Sequence, residues 1–328
     1  MEPEITSVNI CPPSVNEPKS LSLVVPVFNE EDAIGIFLDE VEKLQKELSS
    51  ISLETVFIND GSTDNTLPTL IENQTKRNLD IKIVELSRNF GKEAALTAGL
   101  DEASGQLIVP IDVDLQDPIE LIPRMIEKWR EGYDVVLGKR EDRRSDTWFK
   151  RKTSGWFYSV FNQISETKLT PNVGDFRLMD RCVVNALKQL PESRRFMKGM
   201  FAWLGFNTTY LTYIRPKRSA GESSFNGWKL WNLALEGMTS FSPVLLRMFT
   251  YMGFLVSFFS FCYAAFTIIK VMVIGIDLPG YASSLVTVLF IGGLQLLGIG
   301  ILGEYLGRTY VESKRRPIYI IRRIHKKD

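Results

Sequence analysis

Histidine is all but missing from this chain: among 328 residues only His325 carries an imidazole, and it stands near the C-terminal end. A Ser-His-Asp triad or a His-rich zinc site needs that ring in mid-chain, so both are excluded. Cysteine is scarce too. Cys11, Cys182 and Cys262 share no CxxC spacing, which supports neither a disulfide framework nor a thiolate metal site and suits a reducing compartment. Net charge is absent, because 39 basic and 39 acidic side chains cancel, and this argues against a nucleic-acid partner held by bulk electrostatics. Neither glycine fingerprint follows the first apolar run: the turn reads PVFNEE instead of GxGxxG or GxxxxGK[ST], which disfavours an NAD enzyme and a P-loop ATPase. The opening MEPEITSVNICPPSVNEPKS has no apolar run, so a loose tail over residues 1–19 is expected rather than a signal peptide.

Charge is rarest between residues 244 and 306, where Arg247, Lys270, Asp277 and Glu304 are the only charged groups. Within that stretch 248–269 and 278–303 are uncharged, and each exceeds the roughly 20 residues that span a bilayer core. The expectation is a two-helix transmembrane hairpin over 244–307, turned at GIDLPGYA; the alternative is a pair of buried helices in a large soluble core. From Arg308 onward the tail over 308–328 is rich in Lys and Arg, which places both ends of the hairpin, and the large N-terminal part with them, on the cytoplasmic face of an inner membrane. Gly292, Gly293, Gly298, Gly300, Gly303 and Gly307, with Gln295 and Glu304, favour helix association, within one chain or in a homo-oligomer. Just before the hairpin, Trp228, Trp231, Leu235 and Met238 recur at helical spacing, so 227–243 reads as an interfacial amphipathic helix.

From residue 20 short β-branched runs alternate with amphipathic stretches, the rhythm of a parallel α/β sheet. Strands are predicted at 21–27, 53–59, 81–86, 107–112 and 133–137. Helices are predicted at 31–48, with Ile34, Leu38, Val41 and Leu48 on one stripe, and at 118–130. The strands end in polar residues: Asn29 and Glu30, Asp60, Arg88 and Asn89, Asp112 and Asp114. Open α/β folds bind ligands at that carboxyl edge. Two carboxylates at a strand end, Asp112-x-Asp114, can hold a divalent cation against a diphosphate, although a DxD also arises by chance as a solvated acidic turn.

PVFNEE (26–31), NDGSTD (59–64), DVDLQDP (112–118) and RSAGESSFN (218–226), in that order and before paired apolar helices, resemble the family 2 glycosyltransferases. The resemblance is strongest to the polyprenyl-phosphate sugar transferases, which include dolichol-phosphate mannose synthases and bactoprenol glucosyltransferases. It implies a GT-A fold, a Rossmann-like nucleotide-diphospho-sugar transferase domain over 20–226. It also implies roles. Pro26, Asn29 and Glu30 would line the nucleoside pocket, Asp60 would meet the base, and Asp112 the ribose or the metal. Asp112, Asp114 and Gln116 would hold Mg²⁺ or Mn²⁺ on the donor diphosphate. Catalytic parts fall to Asp114, Asp175 and Arg218, with Gly221 and Ser223 in a loop over the donor. Arg88 and Lys92 either take part or form a basic loop that balances the acidic crevice.

The implied reaction is inverting transfer of one sugar from a nucleotide sugar, glucose from UDP-glucose being favoured on branch resemblance, to a polyprenyl (undecaprenyl) phosphate. GDP-mannose or another donor is the alternative. A phosphate monoester with a second pKa near 6 is largely dianionic at neutral pH, so a strong general base is dispensable and the lack of histidine is accommodated. For the lipid headgroup the sequence offers Lys139, Arg140, Arg143, Arg144, Lys150, Arg151 and Lys152, of which Arg140, Arg151 and Ser154 match the family as acceptor-phosphate contacts. Asp175 would serve as a base or sugar-hydroxyl contact, or else pair with Arg177. A processive synthase would show QxxRW and more spans, neither of which is present; a non-catalytic nucleotide-sugar-binding scaffold is the remoter reading.

Overall fold

The computed structural model describes residues 17–141, 173–190, 192, 195, 197–214, most of 251–273, and 280–326. Three β-α units open the domain. β1 (Ser20–Val27), β2 (Ser52–Asn59) and β3 (Asp80–Leu86) are parallel, and α1 (Glu31–Glu47) and α2 (Thr66–Lys76) connect them. α3 (Lys92–Glu102) then carries the chain back across the sheet to β4 (Leu107–Pro110), which pairs with the other side of β1. A 3₁₀ turn (Ile119–Leu121), α4 (Ile122–Arg130) and β5 (Val135–Arg140) follow. Next come β6 (Val173–Asp180), α5 (Arg181–Lys188), α6 (Met197–Trp203) and β7 (Thr208–Tyr213). Far along the chain lie α7 (Tyr281–Ser313) and β8 (Ile321–His325). The sheet order is β7-β5-β6-β4-β1-β2-β3-β8.

Alternation along the central strands explains the layers. Leu21, Leu23, Val25 and Val27 of β1 join α1, α4 and Leu70 of α2 in one buried cluster, whereas Val24, with Val56 and Ile58 of β2, joins α3, α5 and α6 in the other. α3 lies unusually close to the sheet, because a Cβ at Gly99 would stand 2.3 Å from Val24 Cγ1 and 2.5 Å from Ile58 Cδ1. At the sheet's other end α5 starts cleanly, since Asp180 accepts from the Cys182 amide at 2.9 Å and also from Trp129 Nε1 at 2.9 Å.

The five predicted strands are all present, and the mixed α/β sheet agrees with the GT-A expectation. It is not purely parallel, however: β6 and β8 run antiparallel to their neighbours. β8 comes from the basic tail expected to be only an anchor, and residues 17–19 of the expected loose tail are tied down, Lys19 N–H donating to Gln106 Oε1. Among the described residues Cys262 is free and exposed.

Among the described residues one helix, Phe290–Ser313 within α7, is long and apolar enough to cross a membrane. At 33 residues, about 50 Å at 1.5 Å per residue, α7 extends past 307, where the hairpin was expected to end. Its Val288, Phe290, Leu296, Ile299, Leu302 and Leu306 are each more than half exposed, as are Phe254, Phe258, Phe266 and Met272 among the helical residues between 251 and 273. The expected interfacial helix at 227–243 lies outside the described residues.

Candidate active site

Strand order reverses where β1 meets β4, the kind of switch point at whose carboxyl ends open α/β sheets bind ligands. Two turns interlock on one side of it. Asn29, following β1, adopts φ 56°, a left-handed conformation that asparagine tolerates. Its Oδ1 accepts from Thr63 N–H at 2.9 Å, its own amide donates to Ser62 Oγ at 3.0 Å, and Glu30 N–H donates to Thr66 Oγ1 at 2.9 Å. Pro26 stands in register with Ile58 on β2.

Asp60 fixes the floor. Its oxygens accept from Phe90 N–H at 2.7 Å and Gly91 N–H at 2.9 Å, and burial raises its pKa against those two bonds. A base contact would therefore share oxygens already bonded to this loop. Gly61 is required beside it: at φ 68° a Cβ would lie 2.6 Å from backbone atoms of Arg88 and Asn89.

On the other side stands DVDLQDP. Leu115 has φ 55°, a conformation that costs a leucine about 1–2 kcal/mol. It separates Asp114, whose Oδ1 accepts from Gln116 N–H at 3.1 Å, from a buried Gln116 side chain whose Oε1 finds no hydrogen-bond partner among the described residues. Asp112 is held instead by Lys92, whose Nζ lies 2.8 Å from Oδ1 and 2.9 Å from Oδ2.

The same ammonium is 3.0 Å from Asp175 Oδ2. Asp175 lies early in β6, which runs antiparallel, so it reaches the edge where β4 ends. Burial alone would raise the Asp175 pKa, but Lys92, Lys198 and Arg177 outweigh it and hold the carboxyl well below the usual range. Arg177, buried to 4% exposure, does not pair with that carboxylate through a hydrogen bond: it donates to the main-chain carbonyls of Gly174 (2.8 Å) and Asp175 (3.3 Å) and stacks on Phe201 at 3.9 Å. Burial brings its pKa down to about 10. For Lys92 burial works downward too, but Asp175 and Asp112 prevail and raise it. Glu93, next in the chain, is pushed up to about 7 by burial and by Asp175. Arg88 plays the plainer part, over the Phe90 ring at 4.1 Å.

Arg140 ends β5. Its Nε donates to the Tyr213 hydroxyl at 3.3 Å, and its guanidinium lies 3.8 Å from Asp117 Oδ1. Tyr213 donates its own proton to Asp117, and burial together with that carboxylate raises the phenol above its ordinary pKa. Asp117 and Tyr213 were missed from sequence, although Asp117 belongs to the quoted motif and Tyr213 to the inward positions of TTYLTY. Arg151, Ser154, Arg218, Gly221 and Ser223 lie outside the described residues.

Among the described residues no three His, Cys, Asp or Glu side chains converge as a metal cage. Asp114 and the bare Gln116 amide oxygen are nevertheless hard oxygen donors of the kind Mg²⁺ and Mn²⁺ take, these ions completing their shells with water and substrate phosphates. The residues fit such an ion, with Asp112 engaged by Lys92.

Comparison with known proteins decides the family: a model described as glycosyl transferase family 2 matches residues 22–188. The chain belongs to glycosyl transferase family 2. It is 54% identical over 306 residues to the prophage bactoprenol glucosyl transferase homolog of Escherichia coli (strain K12), covering 93% of this chain and 99% of that one. To the bactoprenol glucosyl transferase of Shigella phage SfV it is 56% identical over 302 residues, covering 92% and 98%. Among solved structures it is similar to glucosyl-3-phosphoglycerate synthase from Mycobacterium tuberculosis, with 20% identity, 73% and 84% coverage and a TM-score of 0.46. The chain is thus a glycosyltransferase, and DVDLQDP falls inside the matched family region.

Proposed function

We propose that this glycosyltransferase moves one glucosyl unit from UDP-glucose to a polyprenyl phosphate of undecaprenyl type, with inversion, at the cytoplasmic face of the inner membrane. The carrying observation is near full-length identity of 54–56% to relatives named bactoprenol glucosyl transferase, joined to an acidic site at the switch point of the sheet. Pro26, Asn29 and Glu30 line the nucleoside side, with Asp60 securing the loop behind it. Asp114 and Gln116, with Asp112 beside them, would hold Mg²⁺ or Mn²⁺, which when bound supplies positive charge to the departing diphosphate.

An oxygen of the dianionic lipid phosphate attacks the anomeric carbon, the bond from that carbon to the UDP oxygen breaks, and UDP departs with the electron pair. No proton need move. Arg140, already oriented by Asp117 and Tyr213, together with Arg151 and Ser154, receives the lipid phosphate. Arg218, Gly221 and Ser223 close over the donor. The hairpin of 244–307 anchors the chain as a two-pass protein with both termini cytoplasmic, a reading supported by the basic flank after α7 and by its exposed apolar surface.

The test incubates membranes holding the protein with undecaprenyl phosphate, Mg²⁺ and a panel of labelled nucleotide sugars, then extracts lipid. UDP-glucose should label the lipid, and Asp114→Asn should lower the rate by roughly a hundredfold or more. No labelled lipid from any donor rejects the transferase reading, and label from GDP-mannose alone rejects the glucosyl assignment.

A further inference from the structure

The two edges of the sheet are unlike, and the path of the chain sorts them. β1 to β5 and β7 end at the carboxyl edge, where the acidic site lies. The antiparallel β6 and β8 begin there, with Ile321 of β8 in register with Leu86 at the end of β3. The excursion that holds the uncharged runs 248–269 and 278–303 therefore leaves from this edge after Tyr213 and comes back to the same edge at Ile321. It departs from β7 and arrives at β8, the two outermost strands, seven spacings or about 34 Å apart. A bilayer entered by that excursion is tethered to both ends of the edge that carries the site. The returning tether is short, since residues 314–320 between α7 and β8 span at most about 25 Å.

An apolar side chain marks each tether. Ile214, one residue past the Arg140↔Tyr213 pair, is 72% exposed. Ile320 is 52% exposed even though its carbonyl accepts from Ser87 N–H at 2.9 Å, so its main chain is fixed and its side chain is presented outward. Single exposed aliphatics are common on soluble surfaces. These two stand where the chain departs for an apolar excursion and where it returns, which are the places a lipid surface would cover. The charge beside the second agrees: Lys314, Arg315 and Arg316 in the returning tether are all exposed and suit anionic headgroups.

We propose that the catalytic domain rests its carboxyl edge on the surface of an anionic bilayer through Ile214 and Ile320, so that the site between them faces the headgroup layer. The role rests on the two-pass reading above and goes beyond it, because a domain that is only tethered can float clear of the membrane and a docked one cannot. Docking at Ile214 also brings Arg140, on the neighbouring strand, to the headgroup phosphates. A polyprenyl phosphate then meets that guanidinium without leaving the bilayer.

The experiment uses the full chain, with Cys11, Cys182 and Cys262 replaced by serine, in vesicles of phosphatidylethanolamine and phosphatidylglycerol. A polarity-sensitive fluorophore is attached at Ile214→Cys, at Ile320→Cys, at Leu296→Cys on α7, and at two exposed positions toward the amino edge, Ser50→Cys and Trp203→Cys. Quenchers carried on lipid headgroups should dim the probes at 214 and 320 by about twofold or more and leave those at 50 and 203 within about a fifth of their starting intensity. Quenchers in the acyl chains should dim the probe at 296. Undimmed probes at 214 and 320, or equal dimming at 50 and 203, would overturn docking. A probe at 214 or 320 that is shielded from water yet unquenched, and that dilution of the protein unshields, assigns the surface to a second copy and overturns it as well. An undimmed probe at 296 overturns the membrane reading and this one with it. In a second arm, Ile214→Asp combined with Ile320→Asp should lose about tenfold or more in kcat/KM with undecaprenyl phosphate in vesicles, yet stay within about threefold with a short-chain polyprenyl phosphate dissolved in water. Equal losses on both acceptors count against docking; if the double aspartate variant does not fold, Ile214→Ser with Ile320→Ser gives the same comparison. Absence of transfer by the wild type with every donor rejects the glucosyl-transfer reading alone, since quenching still reads docking.

Discussion

Beside Lys92 stands Glu93, a carboxyl raised to about 7 by burial and by Asp175 against the pull of Lys92 and Lys198. An unfolded glutamate titrates near 4.3, so between about pH 4 and 7 the folded chain binds more protons than the unfolded one. The contribution of this group to stability is complete below the unfolded value and is lost as pH rises through about 7. Glu93→Gln should therefore be more stable than wild type above pH 7 by roughly 1–3 kcal/mol and should flatten the fall in melting temperature between pH 5 and 8. A variant that keeps the wild-type pH slope would reject this account. At this scale the sequence points to what motifs carry: Asp112, Asp114, Gln116 and Asp175 stand as candidates there. It concealed what distant partners confer: Tyr213 meets Asp117 across 96 positions, and neither residue type alone announces the pair.

Among elements, β8 is the one whose consequences are largest for the site. Its strand pairs with β3 from Ile83↔His325 to Leu86↔Ile321, and Ser87 N–H donates to Ile320 O at 2.9 Å. Tyr319 donates to Asp101 Oδ2 at 2.7 Å near the end of α3. The segment thus grips β3 and α3, the elements on both sides of the loop that leads into Lys92. Ending the chain after residue 317 should deprotect the Ser87 amide in hydrogen exchange and expose the β3 edge to aggregation. Unchanged protection at Ser87 would show that the grip is dispensable. Strands β1 to β5 were legible because their apolar runs are continuous and largely buried, whereas β7, parallel to β5, was missed because its TTYLTY is mostly exposed or half-buried. β6 escaped notice because Gly174, Asp175 and Arg177 interrupt its apolar pattern, and β8 because IRRIH reads as a basic tail. Edge strands carry such charge to discourage pairing with strangers, so the very feature that protects β8 disguised it.

For the molecule as a whole, the return of β8 to the sheet imposes a rule of parity. The chain leaves the sheet at Tyr213 and rejoins it at Ile321, so any membrane traversed in between is crossed an even number of times. A single passage by α7 would leave β8 on the wrong side of the bilayer from β3. In the proposed two-pass topology its counterpart is the uncharged run 248–269. In a Cys262→Ser background, Asp277→Cys should react with a membrane-impermeant maleimide added outside intact cells, whereas Ser313→Cys should react only after permeabilisation. Labelling of both from the same side would contradict the crossing. The proposed topology makes insertion and folding interdependent: until both passages are complete the outermost strand cannot close the sheet, and the loop leading into Lys92 lacks its brace, so a half-inserted chain is held short of activity by its own topology.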